Sequence, residues 1–260
     1  MIPSVQTRLT EREANSNAIE QLKAVPWASP LLGEIRKRGG LNSPTSFLFE
    51  LRFAIEIHRA DLSATYEYQS GVGLTSVDFC IKHQPDWLVE LVSPEPHSRS
   101  DEESQMLKFA GVLNDKVCTK NGRPAKFPAP LPGRYHVVIV DVRDYLYGMG
   151  DALDWSQIAY GPAGIRGPHD WALHWTPDEV AEHPSPIRGV FDPESPVESA
   201  KLFRERVHFI GFINEQSYSQ GEMRTRKVAS YLPNPSLFKS REEALEAFRK
   251  YPLKPLDLTL

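Results

Sequence analysis

The chain has 260 residues, 40% of them hydrophobic and 25% charged, with a net charge of −4, which is enough material for one large domain with a substantial core. No run of about 18 apolar residues is present to cross a bilayer, and the charge excludes a protein coated in basic residues for non-specific nucleic-acid binding, though a local basic strip is all a nuclease needs. Met1 to Thr10 hold no apolar stretch of signal-peptide type, and Cys80 and Cys118 have no metal-site spacing, so free thiols in a cytoplasmic protein are expected.

Leu9 to Leu22 reads as a mostly polar helix, with Thr10 as cap before Glu11 and Glu13. A second short helix follows Pro30 and stops at Gly39-Gly40. Ser46 to Arg59 (SFLFELRFAIEIHR) has helical period. Arg52, Glu56 and Arg59 share a narrow arc, and Phe47, Ala54 and Ile57 lie on the other side. Glu50 falls with Ala54 and Ile57 on the apolar side, where a carboxylate is costly to bury without a partner.

Three strands follow. Ala64 to Gln69 is short and aromatic. Leu74 to Lys82 alternates, with Val77, Phe79 and Ile81 on one face and Asp78 and Cys80 on the other. Trp87 to Ser93 (WLVELVS) is almost continuously apolar, as a strand buried on both faces is, and only Glu90 interrupts it. A helix from Asp101 to Val117 is expected next, capped by Ser100 and Glu103, with Met106, Phe109, Ala110, Leu113 and Val117 as its apolar stripe. Prolines make 124–132 an ordered loop, and Tyr135 to Val142 (YHVVIVDV) is another buried strand.

Residues 143–198 show no clean period and read as a loop-rich insertion, in which Trp155, Trp171 and Trp175 make some packing expected. A short helix at Ser199 to Arg204, strands at Val207 to Asn214 and Arg224 to Tyr231, and a helix at Ser240 to Tyr251 capped by Ser240 with Glu243 complete the chain. The expected organisation is a single domain, 1–260. It comprises a helical N-terminal extension at 1–45, a core at 46–142, the insertion at 143–198, and C-terminal strands and helix at 199–260.

Asp78 and Glu90 carry the chemical signal. Each is an acid inside an apolar strand, and the connection between the strands is of hairpin length, so pairing sets the two carboxylates side by side. Adjacent carboxylates repel unless a cation or a shared proton offsets them. A hard divalent ion such as Mg²⁺ takes oxygen ligands and uses one or two carboxylates, and Glu50 would supply a third. Lys116, Lys120, Arg123 and Lys126 form one local basic strip, and Arg224, Arg226 and Lys227 another. Either could meet phosphates or simply be solvated. His169, His174 and His183 are spaced too loosely for zinc, and Gly161 to Gly167 lacks the strand and helix of a dinucleotide fingerprint.

The order helix, three strands, helix, strand, with acids at these places, resembles the PD-(D/E)xK nuclease superfamily, the restriction-endonuclease-like fold, over about Ser46 to Val142. That motif is an aspartate on one strand, then an acid, any residue and a lysine on the next. The matching positions here are Asp78, then Glu90, Leu91 and Val92. The resemblance implies an α/β fold with an αβββαβ core and a central mixed sheet. It also implies metal-dependent hydrolysis of nucleic-acid phosphodiesters: Asp78, Glu90 and the Leu91 carbonyl would hold Mg²⁺ or Mn²⁺, with Glu50 assisting.

The main departure is Val92, which stands where the family has its lysine and which cannot orient a water or neutralise a phosphate. Lys108 lies about 140° from the stripe of its helix, Gln105 is nearer on the flank and is counted with the site, and Lys82 lies about 13 Å along the strand from Asp78. A catalytically inactive member of the same fold, acting as a binding or assembly module, is the alternative. An unrelated α/β protein with structural buried acids is the third.

Overall fold

The computed structural model describes residues 11–94, 102–117, 125–142, 158–161, 189–193, 195, 198–214 and 228–253. Thr10, Ser100, the loosely spaced histidines, the second basic strip and most of the insertion lie outside these residues. So do the side chains of α4 before Phe109, among them Gln105 and Lys108.

Six helices and six strands carry the described fold. Helices α1 (Glu11–Leu22), α2 (Ser29–Lys37) and α3 (Thr45–Arg59) precede strands β1 (Ser63–Gln69), β2 (Ser76–Lys82) and β3 (Asp86–Val92). Helix α4 (Glu102–Val117) leads to β4 (Arg134–Asp141). Beyond the insertion come α5 (Glu198–Arg206), β5 (Phe209–Asn214), β6 (Val228–Pro233) and α6 (Arg241–Phe248). The protein is therefore mixed α/β, and α3-β1-β2-β3-α4-β4 has the expected αβββαβ order.

All six strands form one sheet in the order β1-β2-β3-β4-β5-β6. β3, β4 and β5 run parallel, while β1–β2, β2–β3 and β5–β6 pair antiparallel, so β2 and β6 oppose the other four. Parallel neighbours need a crossover, which α4 supplies between β3 and β4. β5 and β6 extend the same sheet. β6 is described from Val228, inside the strand expected at Arg224 to Tyr231, and runs past that expectation to Pro233, a residue that cannot donate to a ladder.

Ring contacts identify what covers each face. On one face Phe79 of β2 meets Phe53 of α3, and Trp87 of β3 meets Phe248 and Tyr251 at the end of α6. On the other, Phe212 of β5 meets Phe109 of α4, and His136 of β4 stacks on Phe127 of the loop before β4. Strand alternation puts Asp78, Glu90 and His136 on this second face. Ser240 caps α6 by accepting from the Glu243 N–H, while the Glu243 carboxylate accepts from Lys239 N–H at 2.6 Å.

Helical spacing places Arg52 in one arc with Glu56 and Arg59 without saying what covers that arc. Arg52 is 2% exposed, because α1 packs over it and because Glu11 at 3.2 Å and Asp141 of β4 at 3.5 Å draw the guanidinium inward.

Candidate active site

β2 and β3 bring the two carboxylates together by register. Phe79 pairs with Val89, so one further step sets Asp78 opposite Glu90. The ladder is not continued there. Instead the Leu91 N–H donates to Asp78 Oδ2 at 2.6 Å, and a side chain takes the place of the neighbouring backbone carbonyl. Leu91 thus contributes its amide to Asp78. Beyond this point β3 pairs onward with β4, Glu90 opposite Val138. Glu90 is wholly buried and Asp78 nearly so.

Glu50 stands on α3, near enough for the Asp78 charge to act on it. It is half-buried, and its Oε2 accepts from the Tyr66 hydroxyl of β1 at 2.8 Å. Burial and the Asp78 charge push its carboxyl up to about 8, against the lowering effect of the Tyr66 bond. Burial and Asp78 likewise push Glu90 up to about 8, opposed by Lys126. Asp78 is raised by burial, with Lys126 and the Leu91 amide pulling the other way. Glu67 of β1, which no sequence pattern singled out, adds negative charge at Asp78 and Glu50.

Glu90 receives a cation from outside its own strand. Lys126, in the loop between α4 and β4, sets its ammonium 2.5 Å from Glu90 Oε1. Burial alone would lower this ammonium's pKa, but Glu90 and Asp78 outweigh burial and raise it. The loop is tied at successive residues. The Ala125 carbonyl accepts from Thr75 Oγ1 at 3.5 Å, the Lys126 N–H donates to the Val117 carbonyl at 2.9 Å, and the Phe127 carbonyl accepts from Arg206 at 2.7 Å. Lys126 appeared in the sequence only as one member of a basic strip. The loop's return onto the sheet has no periodicity to announce it. Lys82 is not a substitute, because it pairs with Asp86 at 2.8 Å at the opposite end of β2.

A divalent cation suits this donor set in one specific respect. Glu90 Oε2 is buried with no hydrogen-bond partner among the described residues, while its other oxygen is taken by Lys126. An orphaned carboxylate oxygen whose neighbour is a second acid, Asp78, is a place for a cation or a proton. Among the described residues no three His, Cys, Asp or Glu side chains form a metal-holding group. A cation would therefore rest on Asp78 and Glu90 and complete its shell with backbone oxygen and water, as Mg²⁺ commonly does.

Among the described residues no helix is long and apolar enough to cross a membrane. Comparison of the chain with protein-family models, with curated proteins and with solved structures finds no match.

Proposed function

We propose that the chain is a metal-dependent nuclease of restriction-endonuclease-like fold, with Asp78, Glu90 and Lys126 at its centre and Glu50 as an auxiliary acid. The observation that carries this reading is the Lys126 ammonium 2.5 Å from Glu90. It supplies the acid-and-lysine pair that the motif requires from a loop, where β3 offers only Val92. The αβββαβ order and the two acids on adjacent strands support the same reading.

Each residue has a role that follows from its contacts. Asp78 is oriented by the Leu91 amide, which fixes one oxygen and leaves the other for a ligand. Glu90 offers its unpartnered Oε2. Lys126, anchored through its own backbone, can hold an attacking water or neutralise a phosphate oxygen. Glu50, held by Tyr66, can take up or release a proton near neutrality. Bound Mg²⁺ or Mn²⁺ would supply Lewis-acid polarisation of the phosphate and a more acidic water at neutral pH.

The test is cleavage of labelled single- and double-stranded DNA and RNA with Mg²⁺ or Mn²⁺. Cleavage by the wild type that falls at least about 100-fold in Asp78→Asn, Glu90→Gln and Lys126→Ala is the expected result. Metal binding without cleavage of any of the four substrates would move the protein to the non-catalytic binding module. No metal binding at all would remove the site.

A further inference from the structure

Lys116 stands in the last turn of α4 and is exposed, while Leu113 and Val117 on the same helix are fully buried. The Val117 carbonyl accepts the Lys126 N–H at 2.9 Å, and the Lys126 ammonium touches Glu90. Two lysines therefore stand together at one corner of the acidic cluster, in different states. Lys126 has 24% of its side chain exposed and is committed to Glu90. Lys116 has no hydrogen bond or ion pair with any described residue, although its charge acts on Glu50, Asp78 and Glu90.

A phosphodiester strand approaching this corner meets Glu50, Glu67, Asp78 and Glu90. Of the two lysines, the paired one cannot offset that repulsion without giving up its carboxylate. An exposed ammonium with no partner among the described residues can, and lysine serves phosphate as a point charge that needs no bidentate geometry. We propose that Lys116 is the backbone-recognition residue of the site and binds a substrate phosphate adjacent to the one presented to Asp78 and Glu90. The proposal deepens, and rests on, the nuclease reading. It divides the labour between the lysines: Lys116 serves ground-state binding and Lys126 serves the reaction.

The experiment measures fluorescence anisotropy of labelled single-stranded and duplex oligonucleotides on full-length protein carrying Asp78→Asn, across a series of KCl concentrations in EDTA. Adding Lys116→Ala should weaken binding roughly 3- to 10-fold near 0.1 M salt and lower the slope of log affinity against log salt by about 0.7 to 0.9, one phosphate contact. Lys116→Arg should restore both. Lys250→Ala, at an exposed lysine just after α6, which packs on the opposite face of the sheet, should leave the slope unchanged.

An unchanged slope and affinity in Lys116→Ala would overturn the inference and leave the nuclease reading standing. Affinity lost without a change of slope would overturn it as well. A parent protein that binds neither oligonucleotide would overturn both. Binding with the expected slope change, but no cleavage by the wild type, would uphold the phosphate contact and overturn only the catalysis.

Discussion

At the scale of single residues, the acidic cluster couples folding to protons. Glu50 and Glu90 ionise at an ordinary 4.5 in the unfolded chain and at about 8 in the folded one. Between those values the folded state keeps protons that the unfolded state has released. Their stabilisation is therefore complete below pH 4.5 and is lost as pH rises toward 8. The loss is roughly a kcal/mol per pH unit for buried Glu90 and less for half-buried Glu50, which solvent screens. Asp78, also raised, acts in the same direction. A divalent cation competes for the same oxygens, so Mg²⁺ should raise the melting temperature more at pH 8 than at pH 5. Thermal denaturation from pH 5 to 9, with and without Mg²⁺, checks this. The Asp78→Asn/Glu90→Gln double variant should show a flatter profile and no metal response. A wild-type profile that is flat in metal-free buffer would mean that these carboxyls titrate normally.

At the scale of elements, β5 and β6 meet through a close approach that has no room for a methyl group. A Cβ on Gly211 would lie 2.5 Å from the Tyr231 ring across the ladder. That ring cannot swing aside easily, because Phe248 and Tyr251 pack on it at 4.8 and 5.5 Å. Gly211→Ala should destabilise the protein by about 1–3 kcal/mol through overpacking, read as a lower urea midpoint at unchanged slope.

The same elements show what the sequence discloses. An acid inside WLVELVS is visible because a strand buried on both faces has no solvent side to receive it, so Asp78 and Glu90 could be picked out one strand at a time. The helices α2, α3, α4 and α6 declare themselves by period, proline and cap. Lys126 could not be found that way, since what brings it to Glu90 is a set of contacts with Thr75, Val117 and Arg206, none of them near it in the chain. The surroundings of Arg52 are hidden from the sequence for the same reason. Its burial depends on Glu11 and Asp141, on either side of it at long range, and helical period carries no information about either.

At the scale of the whole molecule, Arg52 joins parts that the chain keeps apart. It lies on α3, takes Glu11 from α1, and reaches Asp141 at the end of β4, so the N-terminal helices are tied to the middle of the sheet through one guanidinium. Both Arg52 and Asp141 are almost fully buried. Removing one partner of such a pair leaves the other charge short of compensation. Asp141→Ala should therefore cost about 3–5 kcal/mol, measured by chemical denaturation. A change below about 1 kcal/mol would show that the arginine is satisfied without Asp141.

The ties on the Lys126 loop also carry a consequence in time. Asp78 and Glu90 leave the ribosome first, Lys126 follows, and Arg206, which holds the Phe127 carbonyl, is made 79 residues after Phe127. A nascent chain thus exposes two acidic strands long before the ammonium can be fixed beside them. If the protein cuts nucleic acid, its own messenger passes through the ribosome while the enzyme is still incomplete, and the loop that carries Lys126 is fully tied down only after Arg206 has been made.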